Sequence, residues 1–195
     1  VAVHQFPQHR AAFQALTDAL SRVRVRREVE WNEIPAPSRL APFTWAASAE
    51  LIGDDDEEVA SGKFIVLYDP AGNDSWQGDL RVVTLMQARL EPEFAVESML
   101  GDVAWSWVTE SLESMGASAH ELGCTITRVV SQSYGALAAR PTSVDVEIRA
   151  SWTPDEHHLE PHFASWTQIL AAAGGLPPRP VDLASARPPL RADDL

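Results

Sequence analysis

Residues 143–152 set the constraint that the rest of the chain has to meet. Val144, Val146, Ile148, Ala150 and Trp152 alternate without a break with Ser143, Asp145, Glu147, Arg149 and Ser151. Successive side chains of an extended strand point to opposite faces, so this segment is a strand with one apolar and one wet face. Such a strand is not stable alone; its apolar face needs a cover and its backbone needs neighbours. The chain supplies both.

Four segments upstream and one just before it carry the same period. Over residues 25–33, Val25, Val29 and Trp31 oppose Arg26, Glu28, Glu30 and Asn32. Over 43–52, Phe43, Trp45, Ala47, Ala49 and Leu51 oppose Thr44, Ser48 and Glu50. The strand at 59–68 contains Phe64-Ile65-Val66-Leu67-Tyr68, apolar on both faces and therefore central. Over 79–90, Leu80, Val82, Met86 and Leu90 oppose Arg81, Gln87 and Arg89, and 119–133 sets Leu122, Cys124 and Ile126 against Thr125, Thr127, Ser131 and Ser133. Pro35, Pro37 and Pro42 make a stiff connector after the first strand, and Asp69-Pro70-Ala71-Gly72-Asn73-Asp74 carries the turn chemistry that closes a hairpin.

Three amphipathic helices provide the cover. Ala12, Phe13, Leu16, Ala19, Leu20 and Val23 form a stripe over 8–23; Ala104, Trp107, Val108, Leu112 and Met115 do so over 101–115, with Trp105 off the stripe. Phe163, Trp166, Ile169, Leu170 and Ala173 form the third over 160–174. The order α-β-β-β-β-α-β-β-α leaves no room for repeated parallel crossovers. The expected fold class is therefore α+β, a two-layer sandwich with a mainly antiparallel six-stranded sheet and three helices on one face. Trp31, Trp45, Trp107, Trp152 and Trp166 are expected to dominate the core. A single domain is expected over 1–176, followed by a proline-rich extended tail over 177–195.

Charge narrows the partners. The 195 residues carry a formal charge of −13, and Lys63 is the only lysine. Phosphate polymers are repelled by that balance, and the strand tryptophans sit in the core phase rather than on a stacking platform, so nucleic acid is disfavoured. Arg22, Arg24, Arg26 and Arg27 run straight into Glu28 and Glu30 and read as a solvated helix end. The acidic run Asp54-Asp55-Asp56-Glu57-Glu58 lacks the alternating ligands of a calcium loop and reads as a hydrated hairpin loop. One cysteine makes no internal bridge, which favours a reducing, cytoplasmic setting. No 18-residue apolar stretch predicts a membrane helix, no signal-type apolar region opens the chain, and a first residue of valine fits a processed end.

Chemistry is harder to place. His158 and His162 have the i, i+4 spacing of two ligands on one helix, but Pro161 breaks the geometry and no third ligand is evident, so no metal is assigned. Cys124 near His120 reads as a core thiol. No glycine-flanked nucleophilic serine and no glycine-rich phosphate loop occur, so no cofactor is assigned. The remaining feature is the wet sheet face, to which Arg26, Glu28, Glu30, Glu50, Arg81, Arg89, Arg128, Asp145, Glu147 and Arg149 are assigned. Cross-strand ion pairs alone account for such a face, each worth a few tenths of a kcal/mol. The sharper reading is a protein-binding surface built on Arg26, Glu28, Glu30, Arg81, Arg89, Glu147 and Arg149, with self-association left open. The competing class is an enzyme with Glu33, Glu110 and Glu113 near the proline connector and the Trp105/Trp107 helix.

Several stretches also carry a resemblance: Glu33-Ile34-Pro35-Ala36-Pro37 through Arg39-Leu40-Ala41-Pro42, Asp69-Pro70 to Trp76-Gln77-Gly78, Trp105-Ser106-Trp107, and Glu147-Ile148-Arg149-Ala150-Ser151-Trp152-Thr153-Pro154. In this order they resemble an actinobacterial family described only as a domain of unknown function, DUF3000, over most of the chain to about residue 178. The resemblance implies a cytoplasmic protein and brings no catalytic residues to carry over. The leading expectation is a non-catalytic adaptor or regulatory protein that binds another protein through the polar sheet face or the tail.

Overall fold

The computed structural model describes residues 2–53 and 57–177. Asp54, Asp55 and Asp56 of the acidic run, and the tail from residue 178 onward, lie outside the described residues. The elements are α1 (Ala2–Asp18, continued as a 3-10 turn to Arg22), β1 (Val29–Ile34), β2 (Phe43–Ile52), β3 (Glu58–Asn73), β4 (Gly78–Leu90), α2 (Leu100–Ser114), β5 (Ala119–Ser131), β6 (Ser143–Pro154) and α3 (Glu160–Ala173). The six strands form one antiparallel sheet in the order β1-β2-β3-β4-β6-β5. The α+β class and the order of elements are those the periodicity dictates.

β6 lies between β4 and β5, which explains its unbroken alternation: every core-phase residue from Val144 to Trp152 is buried. β3 is interior, as its two apolar faces require. Across β3, Phe64 faces Ala47 on one side and Thr84 on the other, and Val66 faces Trp45 and Val82. Paired residues of an antiparallel ladder share a face, so the aromatic residues of β1, β2, β3 and β6 all project to the same side. α3 covers that side across β2, β3 and β4, α2 packs on α3 and β5, and α1 lies beside β2. Phe163 and Trp166 of α3 meet Phe64 at ring-centroid distances of 5.3 and 5.5 Å, and Trp31 meets Phe163 edge-on at 5.0 Å. Trp166 approaches β3 so closely that a Cβ on Gly62 would sit 3.2 Å from its Nε1 and 3.0 Å from the Leu85 carbonyl oxygen. Gly116 ends α2 with φ +67°, and the Ala117 N–H returns to the Leu112 carbonyl at 2.8 Å.

The structure departs from the pattern in four places. α1 begins at Ala2 and runs through Pro7, where the apolar stripe starts only at Ala12. β1 starts at Val29 rather than Val25, because a turn closed by Val29 N–H to Arg26 O interrupts the alternation. The turn chemistry at Asp69–Asp74 forms an irregular end to β3 instead of the hairpin loop. Asp69 and Asn73 each accept a backbone N–H two residues on, at Ala71 and Ser75, and the loop itself is Asp74–Gln77. In α2, Trp107 is only half-buried and Met115 is exposed; Leu100 and Ser111 are buried instead. Ser165 of α3 donates to the Ser111 carbonyl at 3.1 Å, so small residues let the two helices approach and the large ring is displaced to the flank.

Candidate functional site

No helix packs on the other face of the sheet, where Ala46, Leu67 and Thr153 are nonetheless buried, and the register shows how that face is composed. One row of paired residues runs across all six strands as Ile34, Ala46, Ile65, Val83, Ser151 and Gly123. The next is Asn32, Ser48, Lys63, Leu85, Arg149 and Thr125, and the one beyond it is Glu30, Glu50, Ser61, Gln87, Glu147 and Thr127. The face is therefore zoned: an apolar band, extended by Leu67 and Leu85, gives way to a charged end. Periodicity shows such a face only as polar.

At the charged end Arg149 Nη2 lies 2.6 Å from Glu147 Oε1, Gln87 Nε2 donates to Glu147 Oε2 at 2.9 Å, and Arg89 sits 4.0 Å from Asp145. Two contiguous shallow depressions of about 310 and 220 Å³ follow this end of the sheet and share Glu58, Ser61 and Gln87. Arg89, Asp145 and Glu147 line the first; Glu50 and Lys63 line the second. Glu58, Ser61, Lys63 and Gln87 were absent from the expected site, although the phase of β3 and β4 assigns the last three to the open face.

The expected residues divide. Glu30, Arg89, Glu147 and Arg149 share the open face, whereas Arg26 and Glu28 precede β1. Arg26 is used internally, donating to the Pro177 carbonyl at 2.7 Å and lying 4.0 Å from Glu28. Arg81 is on the face but its fork is occupied by Ser151 Oγ at 2.7 Å, Thr153 Oγ1 at 3.1 Å and the Glu121 carbonyl at 2.9 Å. Arg128 is not on the open face. It pairs with Val146 in the core phase, and its guanidinium donates to the carbonyls of Phe94 and Glu97 on the helix side. It shares parity with Cys124, which fixes its side.

A second constellation closes the other end of the sheet. His120 directs Nδ1 at Asp155 Oδ1 (2.6 Å) and Nε2 at the Gln77 carbonyl (3.1 Å). Both partners are acceptors, so this geometry favours the doubly protonated ring over either neutral tautomer. The Asp155 hydrogen bond, then the Gln77 carbonyl, raises the His120 pKa; the His120 bond, then Ser118, lowers that of Asp155. His157 Nε2 lies 2.9 Å from Asp79, with its ring edge-on to Tyr68, whose phenol is pushed up by burial and by Asp79. Trp76-Gln77-Gly78 and Ser151-Trp152-Thr153-Pro154 meet here, through Thr153 Oγ1 on the Trp76 carbonyl.

The remaining candidates are dispersed. His158 is exposed beside Glu160 at 3.3 Å, while His162 is buried and accepts the Trp152 Nε1–H at Nδ1, 3.0 Å away; burial, then His158, lowers its pKa to about 4. Cys124 is half-buried on the helix side opposite Ala150, and burial pushes its thiol up. Glu33, Glu110 and Glu113 are exposed, and none of them lines the depressions described above. Among the described residues no three His, Cys, Asp or Glu side chains converge as metal ligands, and no helix is long and apolar enough to cross a membrane.

The profile of the protein family of unknown function DUF3000 matches residues 9–182. The chain belongs to the DUF3000 family. That span contains every strand, α2 and α3, so the zoned face lies wholly within the DUF3000 match. No curated protein and no solved structure matches the chain.

Proposed function

We propose that this DUF3000 protein is a non-catalytic adaptor or regulatory module that docks another protein on its open sheet face. The observation that carries the reading is the apolar row Ile34, Ala46, Ile65 and Val83, with Ala46 buried between its half-buried neighbours, crossing a face no helix covers; Asn32, Ser48, Lys63, Leu85 and Arg149 lie beside it, and Glu30, Glu50, Gln87 and Glu147 one row beyond. An apolar centre with a polar rim is the anatomy of a protein interface. Carboxylates outnumber cations along the rim, in a chain of net charge −13, so the partner presents an apolar ridge flanked by basic side chains. The same charge disfavours nucleic acid as the ligand. Arg26, which precedes β1 and holds the Pro177 carbonyl, and Arg81, whose fork is occupied within the fold, support the structure, and Glu30, Arg89, Glu147 and Arg149 supply the contacts.

One hydrophobic cluster includes residues from Phe13 to Leu176, which supports a single domain to about residue 176 with the proline-rich tail as a second contact. The lone Cys124 supports a cytoplasmic setting. Cross-linking in cells followed by mass spectrometry tests the reading with Val83→Glu and Glu50→Arg on the face and Val103→Glu on α2 as control. The expected result is a discrete partner lost from both face variants and kept by the control. Identical cross-link sets for all three folded variants overturn it.

A further inference from the structure

The sheet has two edges, and they are finished differently. β1 is six residues long, carries Glu30 and Glu33, and runs into Pro35 and Pro37. Short length, charge and proline are the devices that stop a sheet from recruiting another strand. β5 is thirteen residues long, has β6 on one side, and has no strand on the other among the described residues. A bulge with Glu121 at φ +49° disrupts its start. From Gly123 to Ser131 the edge is regular and has no acidic residue, lysine or proline. Alternate residues of that stretch present N–H and C=O outward, with no strand to pair them among the described residues.

The side chains around the edge point the same way. Thr125, Ile126, Thr127, Val129 and Val130 are β-branched, the residue type that pairs best on a pleated surface. Val129 is 49% exposed and Val130 40%. Arg128 is drawn onto the Phe94 and Glu97 carbonyls, so its charge does not guard the edge, and it holds the neighbouring segment carrying Val96 (88% exposed) and Met99 (59%) against β5. The result is an unpaired backbone ladder bordered by apolar side chains.

We propose that the occupant of this edge is a second copy of the chain, its β5 paired antiparallel to β5 about a two-fold axis. The rest of the surface argues for this occupant. A chain of net charge −13 repels its own copy except where carboxylates are missing, and Gly123–Ser131 is such a stretch. The strand the edge requires, free of carboxylates and β-branched, is the strand it already is, and a two-fold makes one surface complementary to itself. That axis stands perpendicular to the sheet and preserves its faces, so the two uncovered faces become one continuous surface. The inference stands independently of what docks there.

Sedimentation equilibrium of the full chain at about 100 μM tests it, a concentration above the Kd of a standard interface. The expected mass is twice the 21.3 kDa of one chain. Thr127→Lys/Val129→Lys places like charges across the axis at exposed positions and is expected to give the monomer mass with an unchanged circular dichroism spectrum. Asn32→Lys on the opposite edge is expected to remain a dimer. Amide exchange across Gly123–Ser131 is expected to slow as protein concentration rises, which reads the interface without any substitution. A monomeric wild type, a dimeric double variant, dissociation by Asn32→Lys, or concentration-independent exchange in β5 overturns the proposal.

Discussion

His162 makes the stability of this protein acid-sensitive in a way that one substitution isolates. Its side chain is 2% exposed, and its Nδ1 accepts the indole N–H of Trp152, itself fully buried. The neutral ring is the form the fold requires, and its pKa falls to about 4, with burial the main cause and the nearby His158 the next. In the unfolded chain a histidine titrates near 6.5. Between those values the unfolded state binds the proton and the native state does not, so stability falls as pH falls. The slope is about 1.4 kcal/mol per pH unit, amounting to about 3 kcal/mol between pH 6.5 and 4. His162→Asn keeps an acceptor near the Nδ1 position and removes the titration. Its offset from wild type includes a small cavity, but that offset does not depend on pH. Urea unfolding of both proteins from pH 7 to 5 is expected to show the stability gap narrowing by about 2 kcal/mol as the wild type weakens. Carboxylates titrate in both proteins and cancel. A gap that stays constant over that range refutes the buried neutral imidazole.

His120 has the opposite sign. With Asp155 and the Gln77 carbonyl favouring its protonated form, it contributes stability below the unfolded pKa and loses it as pH rises through its raised folded pKa. Its ring resonances in NMR are expected to titrate above 6.5, and Asp155→Asn to bring the midpoint down. Trp152→Ala is expected to destabilise by about 3–5 kcal/mol, whereas half-buried Trp107→Ala loses only about 1–2 kcal/mol; equal melting shifts would contradict the flank position of Trp107. Gly62→Ala is expected to cost about 1–3 kcal/mol through the approach of Trp166, and Gly123→Ala, whose Cβ meets nothing within 4 Å, much less.

Most of the fold was legible because strand phase and helix stripe are local: each residue declares its side within a few neighbours. Val144 to Trp152 show this most cleanly, since β6 is interior and every core-phase position is filled. Arg128 was misplaced although its parity with Cys124 already fixed its side. A charged residue on a helix-facing edge strand is tolerated because carbonyls of Phe94 and Glu97 receive it. The turn residues at Asp69–Asp74 also misled, because side chains that cap a backbone N–H two positions on stabilise a strand irregularity as well as a loop. The open face lay beyond reach for a different reason. Ile34, Ala46, Ile65 and Val83 belong to four strands, and on β2 the open-face residue is a lone small apolar between Thr44 and Ser48, while on β4 Val83 and Leu85 sit between Arg81 and Gln87. Only the register sets them side by side, and register follows from non-local pairing that no single strand encodes. A docking surface of this kind is therefore a property of the assembled sheet. Its sequence trace is a β3 that is apolar on both faces, in a fold whose helices cover only one.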